Sequence, residues 1–485
     1  MTTDPAPYDL AAVKFSRLSR RGILLGLSGG QLVTLGIGAL TLITALYTAG
    51  STGLVLAAPV LASSIALTWG TVGGRRLVAW LPITVSWLWR TATGQRDYRR
   101  KLRHPRPAGT LALPGDGAAL RQWVDEETGA VMIHAPHSAT LTAIVGVTHP
   151  AYTLLDPAEQ QRRVSGWGRV LATTCRSGRI ASLQVLERTL PDSGRGLSEW
   201  WDRHGTHDAS WASTTYDELI ARAGPAGERH ATTVSIALDM KASSRAIRSA
   251  GSGIRGAANV LRQEMTTMTA ALRAADLTPS DWLTAGDLAL ILRAAYEPDI
   301  TTALERHGTV GRDLATAGPV AITESWDSLR SDSAHHAVLW ISEWPRSQVY
   351  PGFLAPLLLT SGVRRTFSLH YQPIRADLAA RDLRRKKTEY ISDAAQRQRM
   401  GQIEDAQQNA EYADVLQQEA DLTAGHGVLR LTGFVAVSAP DTDTLERTVA
   451  SVEQAAIQAS CETRRLYGQQ AQAFTAAALP IGQRI

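Results

Sequence analysis

Between Gly22 and Gly74 the chain contains no Asp, Glu, Lys, Arg or His, and that run restricts its folding more than any other feature. About 20 apolar residues cross the hydrocarbon core of a bilayer once, so the run has room for two crossings. We expect a first span at residues 31–47, beginning as early as Leu24, and a second at residues 53–72, with residues 48–52 as the connecting loop. A signal peptide also places an apolar core after basic residues, but that core is about 7 to 15 residues long. The run here is longer, and a second apolar segment follows directly. A helical pair buried in a soluble core is the other alternative.

The distribution of charge points the same way. The 50 Lys+Arg against 45 Asp+Glu give a net charge of +5, a balance that ordinarily raises nucleic acid or an anionic membrane as partner. Lys14, Arg17, Arg20 and Arg21 precede the run; Arg75, Arg76, Arg90, Arg96, Arg99, Arg100, Lys101, Arg103 and Arg106 follow it; the loop between the spans has none. Basic flanks stay on the cytoplasmic side, so both termini are expected there, in a two-span protein of the plasma membrane. Through Arg106 the balance is +10, and the remainder of the chain carries −5. The positive charge therefore marks a belt beside a phospholipid membrane, and direct nucleic-acid binding is not expected. Within the belt, residues 77–89 are apolar but short and contain Pro82, with Trp80, Trp87 and Trp89 lying between Arg76 and Arg90. Tryptophan favours the headgroup level, where its ring is in apolar surroundings and its N–H stays wet. An interfacial helix is expected, a plain core helix being the alternative. The membrane-flanking set is Arg20, Arg21, Arg75, Arg76, Trp80, Trp87, Trp89 and Arg90.

Pro105, Pro107, Gly109 and residues 114–117 read as a linker. Beyond it, β-rich runs at 130–133, 140–147, 180–186, 232–240, 319–326 and 337–344 alternate unevenly with helical stretches at 157–174, 198–223, 254–275, 285–296 and 353–360. Unequal order with hairpins favours an α+β class, as ferredoxin-like α/β sandwich domains, over a doubly wound parallel sheet. Residues 375–422 are charged, rich in Ala and free of Pro, and form an expected helical arm. A strand at 429–437 and a helix after Asp441 follow, forming a β-α unit joined to the sheet that contains residues 366–371. The expected division is 1–21 cytoplasmic segment, 22–74 two-helix transmembrane hairpin, 75–118 interfacial segment and linker, then subdomains 119–230, 231–364 and 365–485.

Chemistry-bearing patterns are sparse. Cys175 and Cys461 are far apart and outside any C-x-x-C spacing, so neither a disulfide framework nor a zinc ribbon is available. Residues 26–30 match G-x-S-x-G, but no histidine precedes His104 and Ser28 lies at the first span; helix contact through Gly22, Gly26 and Gly30 is the better reading. Residues 251–256 match G-x-G-x-x-G, but the preceding strand ends about ten residues too early for a dinucleotide fingerprint. The close histidine pairs, 134/137, 204/207 and 335/336, lack metal-ligand spacing. None of the five lysines follows a glycine, so the P-loop lysine that binds β- and γ-phosphates is absent. We expect no catalytic residues, no cofactor and no metal site.

Residues 26–32, the apolar run and the basic, aromatic segment through Tyr98-Arg99-Arg100 resemble the PrgI family, the small two-span inner-membrane subunit of type IV secretion systems. Gly30 stands where a basic residue often precedes the glutamine. Residues 368–373, the charged helices, the strand at 433–438, Leu445-Glu446, Gln470, Phe474 and Leu479-Pro480-Ile481-Gly482 are similar to the N-terminal, non-ATPase domain of the large secretion ATPase. The whole resembles an actinobacterial membrane family joining these two parts. The resemblance implies a non-catalytic, membrane-anchored scaffold in type IV-like secretion or conjugative DNA transfer, which docks a separately encoded ATPase and further channel subunits within an oligomeric assembly. An accessory membrane component of type VII secretion is the alternative, and a divergent enzyme a further one.

Overall fold

The computed structural model describes residues 13, 15, 27–73, 75–101, 109–111, 113–149, 152–192, 195–223, 227–307, 313–399, 406–424 and 426–483. The chain divides into two compact units: an apolar unit of residues 16–96, and a body made of residues 1–15 and 97–485.

The apolar unit contains α1 (Gly29–Trp69), the short paired strands β1 (Thr71–Val72) and β2 (Arg75–Arg76), and α2 (Leu77–Ala92). A straight helix rises about 1.5 Å per residue, which would separate the ends of α1 by roughly 60 Å. The Gln31 side chain nevertheless donates to the Thr68 carbonyl at 2.7 Å, so the chain reverses between them. Gly50 is the break, with φ 58° and ψ −135°, a conformation open mainly to glycine. It lies within the expected loop of residues 48–52.

The body runs in the order β3 (Asp97–Arg99), β4 (Arg121–Val124), β5 (Val131–Ala135), β6 (Thr140–Thr148), α3 (Pro157–Ser177), β7 (Ile180–Pro191), α4 (Arg195–His204), α5 (Trp211–Ala223), β8 (Glu228–Asp239), α6 (Ser244–Ser249), α7 (Gly253–Arg273), β9 (Thr278–Trp282) and α8 (Ala285–Tyr296). It continues through α9 (Thr301–His307), α10 (Leu314–Ala317), β10 (Ala321–Glu324), β11 (Leu329–Ser331), β12 (Ala334–Glu343), α11 (Ala355–Leu358), β13 (Arg365–Ile374), α12 (Ala376–Arg399), α13 (Ala406–Thr423), β14 (Val428–Ala439), α14 (Thr442–Gln458), β15 (Glu462–Arg465) and α15 (Gln470–Ala478). This is a mixed α+β fold. Among the described residues, thirteen strands form one antiparallel sheet in the order β3-β10-β11-β12-β14-β13-β7-β8-β6-β5-β4, with β15 also on β12 and β9 also on β6.

Alternation along the strands builds three layers. Val131 and Ile133 of β5, Val338 of β12 and Phe434 of β14 face α8 and α15 on one side. On the other side, Leu141 and Val145 of β6 and Ile236 of β8 pack against α7, while Leu339, Val435 and Val437 pack against α14. The sheet is continuous where separate subdomains were expected: the boundary at 230/231 falls inside β8, and the boundary at 364/365 immediately precedes β13. The polar helical stretch expected at 198–223 forms two helices, α4 and α5, and the expected helix at 353–360 shrinks to α11.

The alanine-rich α15 lies close on the sheet and is held there by buried amides. Gln184, fully buried, donates to the carbonyls of Ala476 and Leu479 at 3.1 and 3.0 Å and accepts from the Gly482 amide at 2.8 Å. Gln470 accepts from the Val338 amide at 2.8 Å. Buried polar groups satisfied this fully specify a single seating for the helix. The charged arm, α12 and α13, is inserted between β13 and β14 and held by a small seam of Leu383, Tyr390 and Val415, with Lys387 on Glu419 at 2.7 Å.

Candidate membrane interface

Within α1 the groups facing inward are small or polar. Gln31, Gly38, Gly53, Ala57, Ser64 and Thr68 are its buried residues. The Gln31 Oε1 accepts from the Ser28 amide at 2.8 Å, from the Ser28 hydroxyl at 3.0 Å and from Arg76. With its bond to the Thr68 carbonyl, this one amide ties the start of α1 to the helix end and to β2. The Thr34 and Thr68 hydroxyls lie 3.1 Å apart. A Cβ on Gly38 would stand 2.6 Å from the Ser64 hydroxyl, so glycine is what allows that approach. Small residues and interhelical hydrogen bonds of this kind hold helices together where lipid removes the hydrophobic drive between them.

The outward face is the reverse. Val33, Ile37, Leu40, Ile43, Val55 and Leu56 are exposed, and only 6% of the most apolar 18-residue stretch of α1 is buried. A core helix of a soluble protein would bury such a face. By length and composition, α1 is the one candidate span among the described residues.

The flanking residues form two aromatic–cation groups. The Arg75 guanidinium lies 5.9 Å from the Trp80 ring centre, and the Trp80 N–H donates to the Val72 carbonyl at 3.1 Å. Arg90 and Arg96 approach the Trp87 ring at 5.6 and 4.9 Å. Cation–π contacts cover the charge while leaving the guanidinium edge available. On α2, Leu81, Val85, Leu88 and Trp89 are exposed along one stripe while Ile83 is buried, an amphipathic arrangement that fits a helix lying in the headgroup plane. Arg20 and Arg21 lie outside the described residues, as do Gly22 and Gly26. Gly30 is described and meets Val78 of α2, 3.0 Å from its would-be Cβ. Sequence reasoning left Gln31, Thr68, Gly38, Ser64 and Arg96 out of the site. A signal for the first was present, since Gln31 is the sole carboxamide between Gly22 and Gly74.

The other residues weighed for chemistry take structural places. Ser28 begins α1 beside Gln31, and Gly253 opens α7 after Ser252, whose φ is 62°. His204 stacks on Trp200 at 5.0 Å. His336 is fully buried between the hydroxyls of Ser331 and Ser438, each at 2.8 Å, and burial pushes it down to about 3. Burial raises both thiols, that of Cys461 to about 11, which disfavours thiolate chemistry. Among the described residues, no group of three or more His, Cys, Asp or Glu is placed to hold a metal. No protein-family model and no curated protein matches the chain.

Proposed function

We propose that the protein is a non-catalytic, membrane-anchored scaffold of a type IV-like secretion or conjugative DNA-transfer apparatus, which docks a separately encoded ATPase at the inner face of the plasma membrane. The observation that carries the anchoring is the exposed apolar face of α1, joined to polar inward contacts and a basic, tryptophan-bearing flank. In this reading α1 crosses the bilayer twice, reversing at Gly50 outside the cell, and both termini are cytoplasmic by the arginine asymmetry. Arg75, Arg76, Trp80, Trp87, Trp89 and Arg90, with Arg20 and Arg21, set the depth of the unit at the headgroups. The body is the docking platform. Its strand-helix repeats in each half of the sheet are read as ferredoxin-like units merged edge to edge, and motor and channel subunits are its partners in an oligomeric assembly.

The test is purification of the tagged full chain from membranes in mild detergent, with identification of what accompanies it. Recovery of a P-loop ATPase lacking its own N-terminal domain, together with channel subunits, is the expected result. Recovery of neither overturns the reading. ATP hydrolysis by the pure chain, abolished by a point change, overturns its non-catalytic part. Topology is tested separately by labelling cysteines placed at residue 50 and near each terminus; labelling of the residue-50 site from the cytoplasmic side would exclude the two-span arrangement.

A further inference from the structure

The body binds a piece of chain that precedes the apolar unit in the sequence. Val13 and Val349 form an antiparallel bridge, the Val13 amide donating to the Val349 carbonyl at 2.8 Å and the Val349 amide to the Val13 carbonyl at 3.0 Å. Two residues on, the Phe15 ring stacks on Trp344 at 5.2 Å and meets the edge of Phe353 at 5.7 Å. Trp344 can lie where it does because β14 has Gly433 beneath it: a Cβ there would stand 2.9 Å from the indole and 2.8 Å from Ile341. The surface therefore has a backbone edge at Val349 and an aromatic socket beside it, the two features by which proteins capture an extended segment carrying an aromatic side chain.

We propose that Trp344, Val349 and Phe353 form a socket and that Val13 and Phe15 are the seated residues of a releasable latch within it. Arg96 passes directly into Asp97 of β3, which pairs with β10, so one end of residues 16–96 is fixed to the body by the sheet. The seated latch fixes the other end and closes residues 16–96 into a loop. Among the described residues its hold is a single bridge and one half-buried ring, with Val13 38% exposed, whereas β3 shares three register pairs with β10. The latch is thus the end that opens first, as weakly packed local elements do. Opening bares the socket. Latch and socket both belong to the body, and their pairing needs no secretion partner.

The test uses the full chain in detergent or nanodiscs, with trypsin cleavage after Lys14 and Arg17 and hydrogen exchange at the Val349 amide as readouts. Phe15→Ala should speed both by at least about tenfold, the loss expected for one aromatic contact and its burial, while Phe15→Trp should leave them near the wild-type rate. Gly433→Ala, which crowds Trp344, should act from the opposite side. A disulfide between Val13→Cys and Val349→Cys, whose hydrogen-bonded pairing brings the Cα atoms within bridging range, should cancel the effect of Phe15→Ala when oxidised and restore it when reduced. Unchanged cleavage and exchange in Phe15→Ala would show that nothing is latched. A cooperative fall in the melting temperature of the whole body would also overturn the proposal, by making Phe15 a permanent core residue.

Discussion

The apolar unit and the body are built with opposite polarity. In the body Leu141, Leu183 and Ile236 are fully buried while charged side chains face out along α12 and α13. In α1 Gln31 and Thr68 are only 1% and 0% exposed, while Leu40 and Leu56 are 65% and 76% exposed. A large apolar side chain left in water forgoes roughly 1.5–3 kcal/mol of burial, and α1 leaves many. The two units therefore turn opposite surfaces outward, charged in the body and apolar in α1, and along the sequence the border between them is the arginine and tryptophan segment from Arg75 to Arg96.

That contrast can be broken most directly by making the same truncation on both sides. Leu183→Ala should destabilise the body by about 3 kcal/mol, because a fully buried site loses transfer energy and keeps a cavity. Leu40→Ala should leave body stability unchanged. Denaturant unfolding of the full chain in detergent, followed by tryptophan fluorescence, checks both; equal losses would mean that α1 is packed as a core helix. Acid gives the next largest effect. His336 is held near 3 in the folded body and returns to about 6.5 when unfolded. Between those values the unfolded chain binds a proton that the folded one does not, so stability falls as pH is lowered through that window and changes no further below it. From pH 6.5 to pH 5 the contribution is about 2 kcal/mol, and His336→Gln should remove that part of the slope. The run from Gly22 to Gly74 has no titratable side chain of this kind, so helix contacts within α1 should not respond over the same range.

The sequence was informative wherever the deciding interaction is local. Strands such as β6 and β14 show their alternation, and α14 announces its start with Asp441, whose carboxylate accepts from the Thr444 amide at 2.8 Å. The apolar run and its arginines were equally plain. What stayed hidden depends on distant partners. Nothing in residues 180–191 says that β7 sits between β8 and β13, where Gln184 opposes both Ser235 and His370; alternation fixes which face a residue occupies but not its neighbouring strand. One continuous sheet was therefore read as several domains, and β15, four residues with no alternation to speak of, was missed. The site divides the same way. The belt follows from counting charges, but the bond from Gln31 to Thr68 spans 37 residues and exists only because Gly50 turns the chain back.

The polar seam tests the inner half of the contrast. Gln31→Leu keeps the volume but strands the Thr68 carbonyl and the Ser28 amide, and should weaken the contact between the ends of α1 by about 1–2 kcal/mol. The readout is the crosslinking rate of cysteines placed at Thr34 and Thr68, which should drop several-fold; an unchanged rate would mean that apolar packing, as in the body, holds these segments together.

The smallest effect concerns the border itself. If Arg90 and Arg96 hold α2 at an anionic headgroup layer while Trp87 carries their stems, replacing either by Gln removes about 1 kcal/mol of surface attraction, or roughly a fivefold change in the membrane-contacting population. A spin label at Thr93, in a chain with Cys175 and Cys461 replaced by Ser, reports that contact through its accessibility to oxygen in reconstituted vesicles. The change should appear with anionic lipid, fade in neutral lipid and shrink as salt shortens the screening length. Trp87→Leu should behave differently, since removal of the ring takes away a cation–π partner of both arginines and an apolar anchor, giving a loss that survives in neutral lipid. Identical salt dependence for the two variants would mean that charge alone sets the border. A salt-independent arginine effect would mean that the guanidinium groups there serve packing within the apolar unit and not the lipid surface.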